Sequence, residues 1–192
     1  MENKIKELRR CDWANQYEIF IPYHDEEWGT PLHDDLKLFE MLCLEFMQAG
    51  LSWRLILEKR QGFNKAFHNF NPDKISKFNE KKVEQLLQNK DIIRNRAKIN
   101  AAINNAKQYL TLKEQGIKFS DFLWQVVDGK PIINQWKKQQ AIPAQTRKSA
   151  QLSKLLKQHQ FKFIGPTTAY AFMQAVGMVN DHLISCFRYP RD

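Results

Sequence analysis

Cys11 and His24 stand near the start of this chain and His182 and Cys186 near its finish, so one metal ion held by all four would bring the two ends of the fold together. Zn²⁺ favours thiolate sulfur and imidazole nitrogen, and four protein ligands leave no open coordination position, so such a site is structural. His182-Leu-Ile-Ser-Cys186 has the i, i+4 spacing that puts two side chains on one face of a helical turn. Cys11 and His24 have no such local pattern. Taken alone, the four residues also fit two ordinary buried thiols with two hydrogen-bonded core histidines, or a disulfide between Cys11 and Cys186. Nothing in the sequence suggests export, and an odd total of three cysteines points to a reducing cytoplasm.

A chain of 192 residues can bury a substantial core as one domain, 1–192, without any staple, so zinc would tune local order. Met1-Glu2-Asn3-Lys4 lacks the apolar stretch of a signal peptide, and no apolar run reaches the roughly 18 residues of a membrane-spanning helix. The expectation is therefore a cytoplasmic protein with no membrane association, and nothing requires more than a monomer. A formal net charge of +9 attracts polyanions, of which nucleic acid is the commonest.

Helical patterns follow one another with short connections, which makes the expected fold all-α. Asp34 to Gln48 reads as one helix and Ser52 to about Gly62 as another, with Asp73 and Asn79 as N-caps of two short ones. Arg94 to about Gln115 is a long amphipathic helix. In it Ile99, Ile103, Ala106 and Leu110 mark the buried stripe and Lys98, Asn105 and Lys113 the wetter positions. Ser120 starts a further helix through Trp124. Asp128-Gly129 turns into an irregular segment from Lys130 to Pro143, the only candidate for a small ribbon. Thr146 to Gln160 is a basic amphipathic helix with Leu152, Leu155 and Leu156 on its apolar side.

The helix ending at Gln48 is apolar nearly all round, and such helices are buried. Lys37, Glu40 and Gln48 form its narrow polar strip, whereas Glu45 projects between Met41 and Leu38 on the apolar side. Burying an ion without compensation is costly. Glu45 should therefore pair with a cation, accept from donors, or face a cavity. Trp13, Tyr17, Phe20, Tyr23 and Trp28 precede this helix and Trp53 follows it. Aromatic faces stack on nucleobases at about 1–3 kcal/mol per base, although tryptophans in helical proteins more often fill cores.

Phe161-Lys-Phe-Ile-Gly165-Pro166-Thr167-Thr168 joins the basic helix to an apolar one running through Val176. A basic helix, a tight Gly-Pro turn and a second helix are similar to a helix-hairpin-helix motif, here around 147–177. Such a turn presents unpaired backbone N–H groups to a DNA phosphate at a helix N-terminus. Thr167 and Thr168 hydroxyls would add donors and Lys162 charge. The motif's usual further glycine, two places before Gly165, is Phe163.

Several blocks converge on a family: Arg10-Cys11-Asp-Trp13, Tyr23-His24-Asp25-Glu26-Glu27-Trp28-Gly29, Leu38-Phe39-Glu40, Gln48-Ala49-Gly50-Leu51-Ser52-Trp53, Phe122-Leu123-Trp124, Phe161-Lys162-Phe163-Ile164-Gly165 and Val179-Asn180-Asp181-His182. Together they resemble the constitutive bacterial 3-methyladenine-DNA glycosylases of type I, over nearly the whole chain. The resemblance implies an all-α helix-hairpin-helix glycosylase fold and a zinc clip, from 11–24 and 182–186, made by Cys11, His24, His182 and Cys186. It places the base pocket on Glu45, Tyr23 and Trp53, with Trp13 and Trp28 lining the same cavity, and gives Leu51 the task of filling the gap left in the duplex. Phe20 stands where family members carry a tyrosine, and Phe46-Met47 replaces a smaller pair.

Many helix-hairpin-helix glycosylases carry an aspartate where this chain has Asn180. The implied explanation is that methylation at N3 makes the adenine cationic, so it departs neutral without needing a proton. Ionised Glu45 would then accept the base's donor edge, Trp53 would stack on it, and water would attack the sugar carbon, with no lysine nucleophile and no strand cleavage. The implied partner is double-stranded DNA containing alkylated adenine. Asp181, one residue on, is a rival acid, and a non-catalytic, zinc-stabilised DNA-binding module of the same fold is the other functional class.

Overall fold

Helices form where capping residues precede apolar-periodic runs. In the computed structural model, which describes residues 8–191, a 3-10 turn (Asp12–Asn15), a short helix α1 (Phe20–Pro22) and a π-helical turn (Tyr23–Glu27) open the chain. The expectation drawn from Met1 to Lys4 falls outside the described residues. Helix α2 (Asp35–Gln48) starts at Asp34, whose carboxylate accepts the Lys37 N–H at 2.8 Å. Leu38, Leu42, Phe46 and Met47 are wholly buried on it, which makes α2 the axis of the core.

The single helix expected from Ser52 to Gly62 is two, α3 (Trp53–Glu58) and α4 (Arg60–Ala66), broken at Lys59 where ψ is 0°. The break turns Gly62 against Asp91, where a Cβ would lie 2.2 Å from a carbonyl oxygen. Helix α5 (Pro72–Ile75) is capped by Asn71, not Asp73, because Pro72 takes the first helical position and Asn71 accepts the Lys74 N–H. Helix α6 (Glu80–Gln88) is capped by Asn79.

Helix α7 (Arg96–Glu114) corrects two positions read as wet, since Lys98 and Asn105 are buried. The Lys98 ammonium donates to the carbonyls of Met47 at 2.8 Å and Ala49 at 2.6 Å, placing a cation on the carbonyl end of α2. Asn105 accepts the Lys162 N–H at 2.7 Å and returns an N–H to the Lys162 carbonyl at 3.1 Å. Periodicity alone cannot separate a solvated polar residue from a partnered buried one. Helix α8 (Phe119–Trp124) begins before Ser120 and has no side-chain cap of its own. Asp35 of α2 accepts the N–H groups of Phe119 at 3.2 Å and Ser120 at 2.8 Å instead.

The expected ribbon segment supplies only one strand. β1 (Ile132–Ile133) pairs in parallel with β2 (Val179–Asn180), so its partner comes from the far end of the chain. Helix α9 (Arg147–Gln158) carries a reciprocal cap between Thr146 and Ser149, and α10 (Pro166–Ala175) follows the Gly165 turn. One apolar core runs through the described residues, and none of their helices is long and apolar enough to cross a membrane.

Candidate functional site

The two ends of the chain do meet. Cys11, His24, His182 and Cys186 are fully buried, and their donor atoms all lie within 4.8 Å of one another. Cys186 Sγ is 3.4 Å from His24 Nε2 and 3.5 Å from His182 Nδ1, and Cys11 Sγ is 3.7 Å from His182 Nδ1. Tetrahedral zinc with sulfur and nitrogen ligands has edges of about 3.3–3.8 Å, so the donor set fits a metal ion of that kind. Both thiols are free, which removes the disulfide. The remaining ring nitrogens are anchored: His24 Nδ1 lies 2.7 Å from Asp25 Oδ1 and His182 Nε2 3.0 Å from the Trp28 carbonyl. A carbonyl only accepts, so His182 carries its proton on Nε2 and turns Nδ1 to the cluster.

The route to this geometry differs from the one the spacing implied. His182 to Cys186 is an irregular turn rather than a helical one. It is pinned by backbone N–H groups of Leu183 and Arg188, donated to Cys11 Sγ and Cys186 Sγ, each at 3.4 Å. The π-helical turn sets Tyr23 and His24 side by side, one facing the cavity described next and the other the cluster. Gly29 follows with φ +74°, and a Cβ there would sit 3.0 Å from the His182 ring.

A cavity of about 220 Å³ lies against the cluster, lined by Trp13, Tyr23, Trp28, Glu45, Gln48, Trp53, Gln139, Ala171 and Gln174. It falls below the range of about 300–1,000 Å³ typical of drug-sized pockets, a scale that suits a single flat ring system. Trp13 meets Trp28 edge-on at 5.1 Å and His24 at 5.3 Å, and Tyr23 and Trp53 lie 5.3 Å apart. The aromatic wall is therefore built directly on His24 of the Cys/His cluster. Glu45 is the only ionisable carboxyl in that lining. Among the described residues it forms no ion pair, and its Oε2 has no hydrogen-bond partner. Burial lifts its pKa from 4.5 to about 8, so in the empty cavity at neutral pH the expected ionised acid is mostly a neutral one. Burial likewise holds Tyr23 well above its usual range, as a neutral phenol.

A larger cavity, about 550 Å³, borders Glu27, Glu40 and Arg60. There Arg60 already pairs with Glu27 at 2.8 Å and Glu40 at 2.9 Å, so these three charges are spent on one another. Phe20 turns away from the aromatic cavity to meet Trp13 and Tyr17 edge-on, at 5.7 Å and 5.4 Å. Phe46 and Met47 are wholly buried on the same helix as Glu45.

Asp181 is not a free acid. Its carboxylate accepts from Asn134 Nδ2, Trp136 Nε1 and Gln174 Nε2 at 2.7 Å each and from the Tyr170 hydroxyl at 2.5 Å. Its own residue is fully buried and absent from the cavity wall.

Leu51 is 39 % exposed and follows Gly50, whose φ of +78° turns the chain. It stands between Gln48 and Trp53, which both line the cavity. Lys162, Gly165 and Thr167 are exposed and Thr168 half-buried in the hairpin between α9 and α10. Gly165 offers no side-chain cap to α10, which leaves first-turn N–H groups free for an anion. Phe163 adopts φ +64° where the motif usually has glycine. Sequence reasoning missed Gln139 and Gln174 in the cavity wall, and Lys98 behind it. No spacing rule links these positions to Glu45.

Comparison with known proteins gives a consistent result. A family model described as methyladenine glycosylase matches residues 13–189. The chain is 49 % identical over 177 residues to the DNA-3-methyladenine glycosylase of Haemophilus influenzae, covering 92 % of this chain and 96 % of the relative. A crystal structure of 3-methyladenine DNA glycosylase I superposes with a TM-score of 0.93 at 50 % identity, over 95 % of this chain and 100 % of the other. A Staphylococcus aureus 3-methyladenine DNA glycosylase I, from work on 3-methyladenine recognition, superposes with a TM-score of 0.91 at 36 % identity, over 96 % and 98 %.

Proposed function

The chain belongs to the methyladenine glycosylase family, and from that premise we propose how its residues divide the work of releasing 3-methyladenine from alkylated DNA. It is a DNA repair glycosylase, an N-glycosyl hydrolase. The observation that carries the division of labour is the buried Glu45 carboxyl, its Oε2 without a partner among the described residues, inside an aromatic-walled cavity.

An extruded cationic purine would stack in that cavity against Trp53, with Tyr23, Trp13 and Trp28 around it, while Leu51 fills the space it leaves in double-stranded DNA. The entering positive charge offsets the desolvation of Glu45 and pulls its pKa down, so the carboxyl ionises as the lesion binds. Undamaged adenine brings no such charge and leaves the penalty unpaid. That difference selects the lesion. Because the methylated base departs neutral, no proton donor is required, and water attacks the sugar carbon as positive charge develops there. No lysine among the described residues lines the cavity, so none of them offers an amine for a covalent intermediate. The product is an abasic site in an unbroken strand.

The hairpin would hold a DNA phosphate through the Thr167 and Thr168 N–H and hydroxyl groups with Lys162 alongside, on the Gly165 turn. Cys11, His24, His182 and Cys186 would hold one structural zinc ion, which closes the chain's ends behind Trp13 and Trp28. The whole chain, 1–192, would act as one domain, a cytoplasmic monomer with no membrane association.

Incubation with methylated duplex DNA and chromatography of the released bases tests the reading. Free 3-methyladenine and intact, alkali-labile strands support it. No released base, or a strand cut without alkali, contradicts it.

A further inference from the structure

Among the described residues, three of the buried polar atoms without a hydrogen-bond partner belong to side chains of the aromatic cavity: Glu45 Oε2, Trp53 Nε1 and Gln139 Oε1. A buried polar atom left unpaired costs about 1–3 kcal/mol. Three of them around one void define a complement that a ligand must supply. Of these, an ionised carboxylate and an amide oxygen both accept, so the base held between them should offer two donors.

We propose that Gln139 is a specificity-determining residue of this site, its amide oxygen accepting a hydrogen of the exocyclic amino group on the bound adenine lesion. The proposal rests on the glycosylase reading above. Glu45 takes the other hydrogen of that amino group, while Trp53 stacks on the ring. 3-Methyladenine carries an amino group at C6 that supplies both hydrogens. 3-Methylguanine carries the same methyl group but has a carbonyl oxygen at C6. That oxygen would face two acceptors with nothing to give them, so the pair of acceptors separates the two lesions where the shared methyl group and positive charge cannot.

Gln139 is held for this task from a distance. It opens a 3-10 turn (Gln139–Ala141) beyond β1, and the chain leading to it is fastened to β2 and its continuation. The Asn134 N–H bonds the Asn180 carbonyl at 3.1 Å, and the Asn134 and Trp136 side chains both donate to Asp181 at 2.7 Å. The Trp136 carbonyl accepts the Ile184 N–H at 3.0 Å. These bonds fix the chain that leads to the Gln139 turn, and so the place from which its side chain reaches the cavity. Asp181 thus supports both Gln174 and the approach to Gln139 without touching the ligand itself.

Gln139→Leu keeps the bulk and removes the acceptor. On methylated duplex DNA, kcat/KM for 3-methyladenine release should fall about tenfold while that for 3-methylguanine does not fall, so the ratio of the two drops. Gln139→Glu, which keeps an acceptor in place, should preserve the ratio. Titration with free 3-methyladenine, followed by tryptophan fluorescence, reads the same contact without DNA, and Gln139→Leu should raise Kd about tenfold. A wild-type ratio and a wild-type Kd in Gln139→Leu would overturn the assignment. Wild-type protein that releases neither base would overturn the glycosylase reading and this one with it, whereas active wild type with an indifferent Gln139→Leu overturns this one alone.

Discussion

Gln174 lines the aromatic cavity and donates its side-chain amide to Asp181 at 2.7 Å. The bond joins a wall of the site to a carboxylate that already receives three other donors, and it assigns Asp181 to support rather than to proton transfer. Asp181→Asn replaces one acceptor oxygen by a donor facing donors. With buried unpaired groups costing about 1–3 kcal/mol each, the variant should lose about 2–4 kcal/mol in denaturant unfolding. Base release well below its unfolding midpoint should persist. Full stability with no release would make Asp181 the acid of the reaction.

Glu45 makes the fold less stable as pH rises. In the folded chain its carboxyl keeps a proton up to about pH 8, against an ordinary value of 4.5. Between those values the unfolded state holds fewer protons than the folded one, so each pH unit removes up to about 1.4 kcal/mol of stability. The loss is absent below the lower value and complete above the upper one. Glu45→Gln should therefore be more stable than wild type to denaturant at pH 8, by about 4 kcal/mol, and differ little at pH 4.5. A pH-independent difference would contradict this origin.

The donor cluster at the chain's ends predicts one zinc per purified protein by elemental analysis. Chelation should lower Tm by about 2–4 °C for each kcal/mol the site supplies. Because Trp13 packs on His24 and Trp28 on His182, near-ultraviolet dichroism should change on chelation while far-ultraviolet dichroism holds. Metal-free protein with unaltered Tm would contradict a structural role.

Asn105 brackets the Lys162 backbone from inside the protein. Asn105→Leu leaves both Lys162 groups unpaired and loosens the hairpin. Affinity for undamaged duplex DNA should drop about tenfold, while binding of free 3-methyladenine in the cavity is unchanged. Equal losses in both would show a general unfolding instead.

What the sequence reveals is what is local or chemically rare. Asn79 announces its helix because caps act within one turn. The buried face of α2 announces itself through periodicity. Cys11, His24, His182 and Cys186 stand out as a group because soft metal ligands are few in this chain. Lys98, Asn105 and Asp181 are different. Each is a polar residue whose meaning lies in a partner far along the chain, and neither Lys98's hold on Met47 nor Asp181's on Asn134 leaves a periodic trace. The pairing of β1 with β2 was hidden for the same reason, since two-residue strands have no alternation to read.

The most direct measurement is 3-methyladenine release from methylated duplex DNA by Glu45→Gln beside wild type, with folding of both verified. A glutamine keeps the shape and one acceptor but cannot take on negative charge. Loss of a charge-assisted hydrogen bond should lower kcat/KM about 10- to 100-fold and flatten its rise between pH 6 and 8. Undiminished release by the variant across that range would contradict selection of the lesion by its own positive charge.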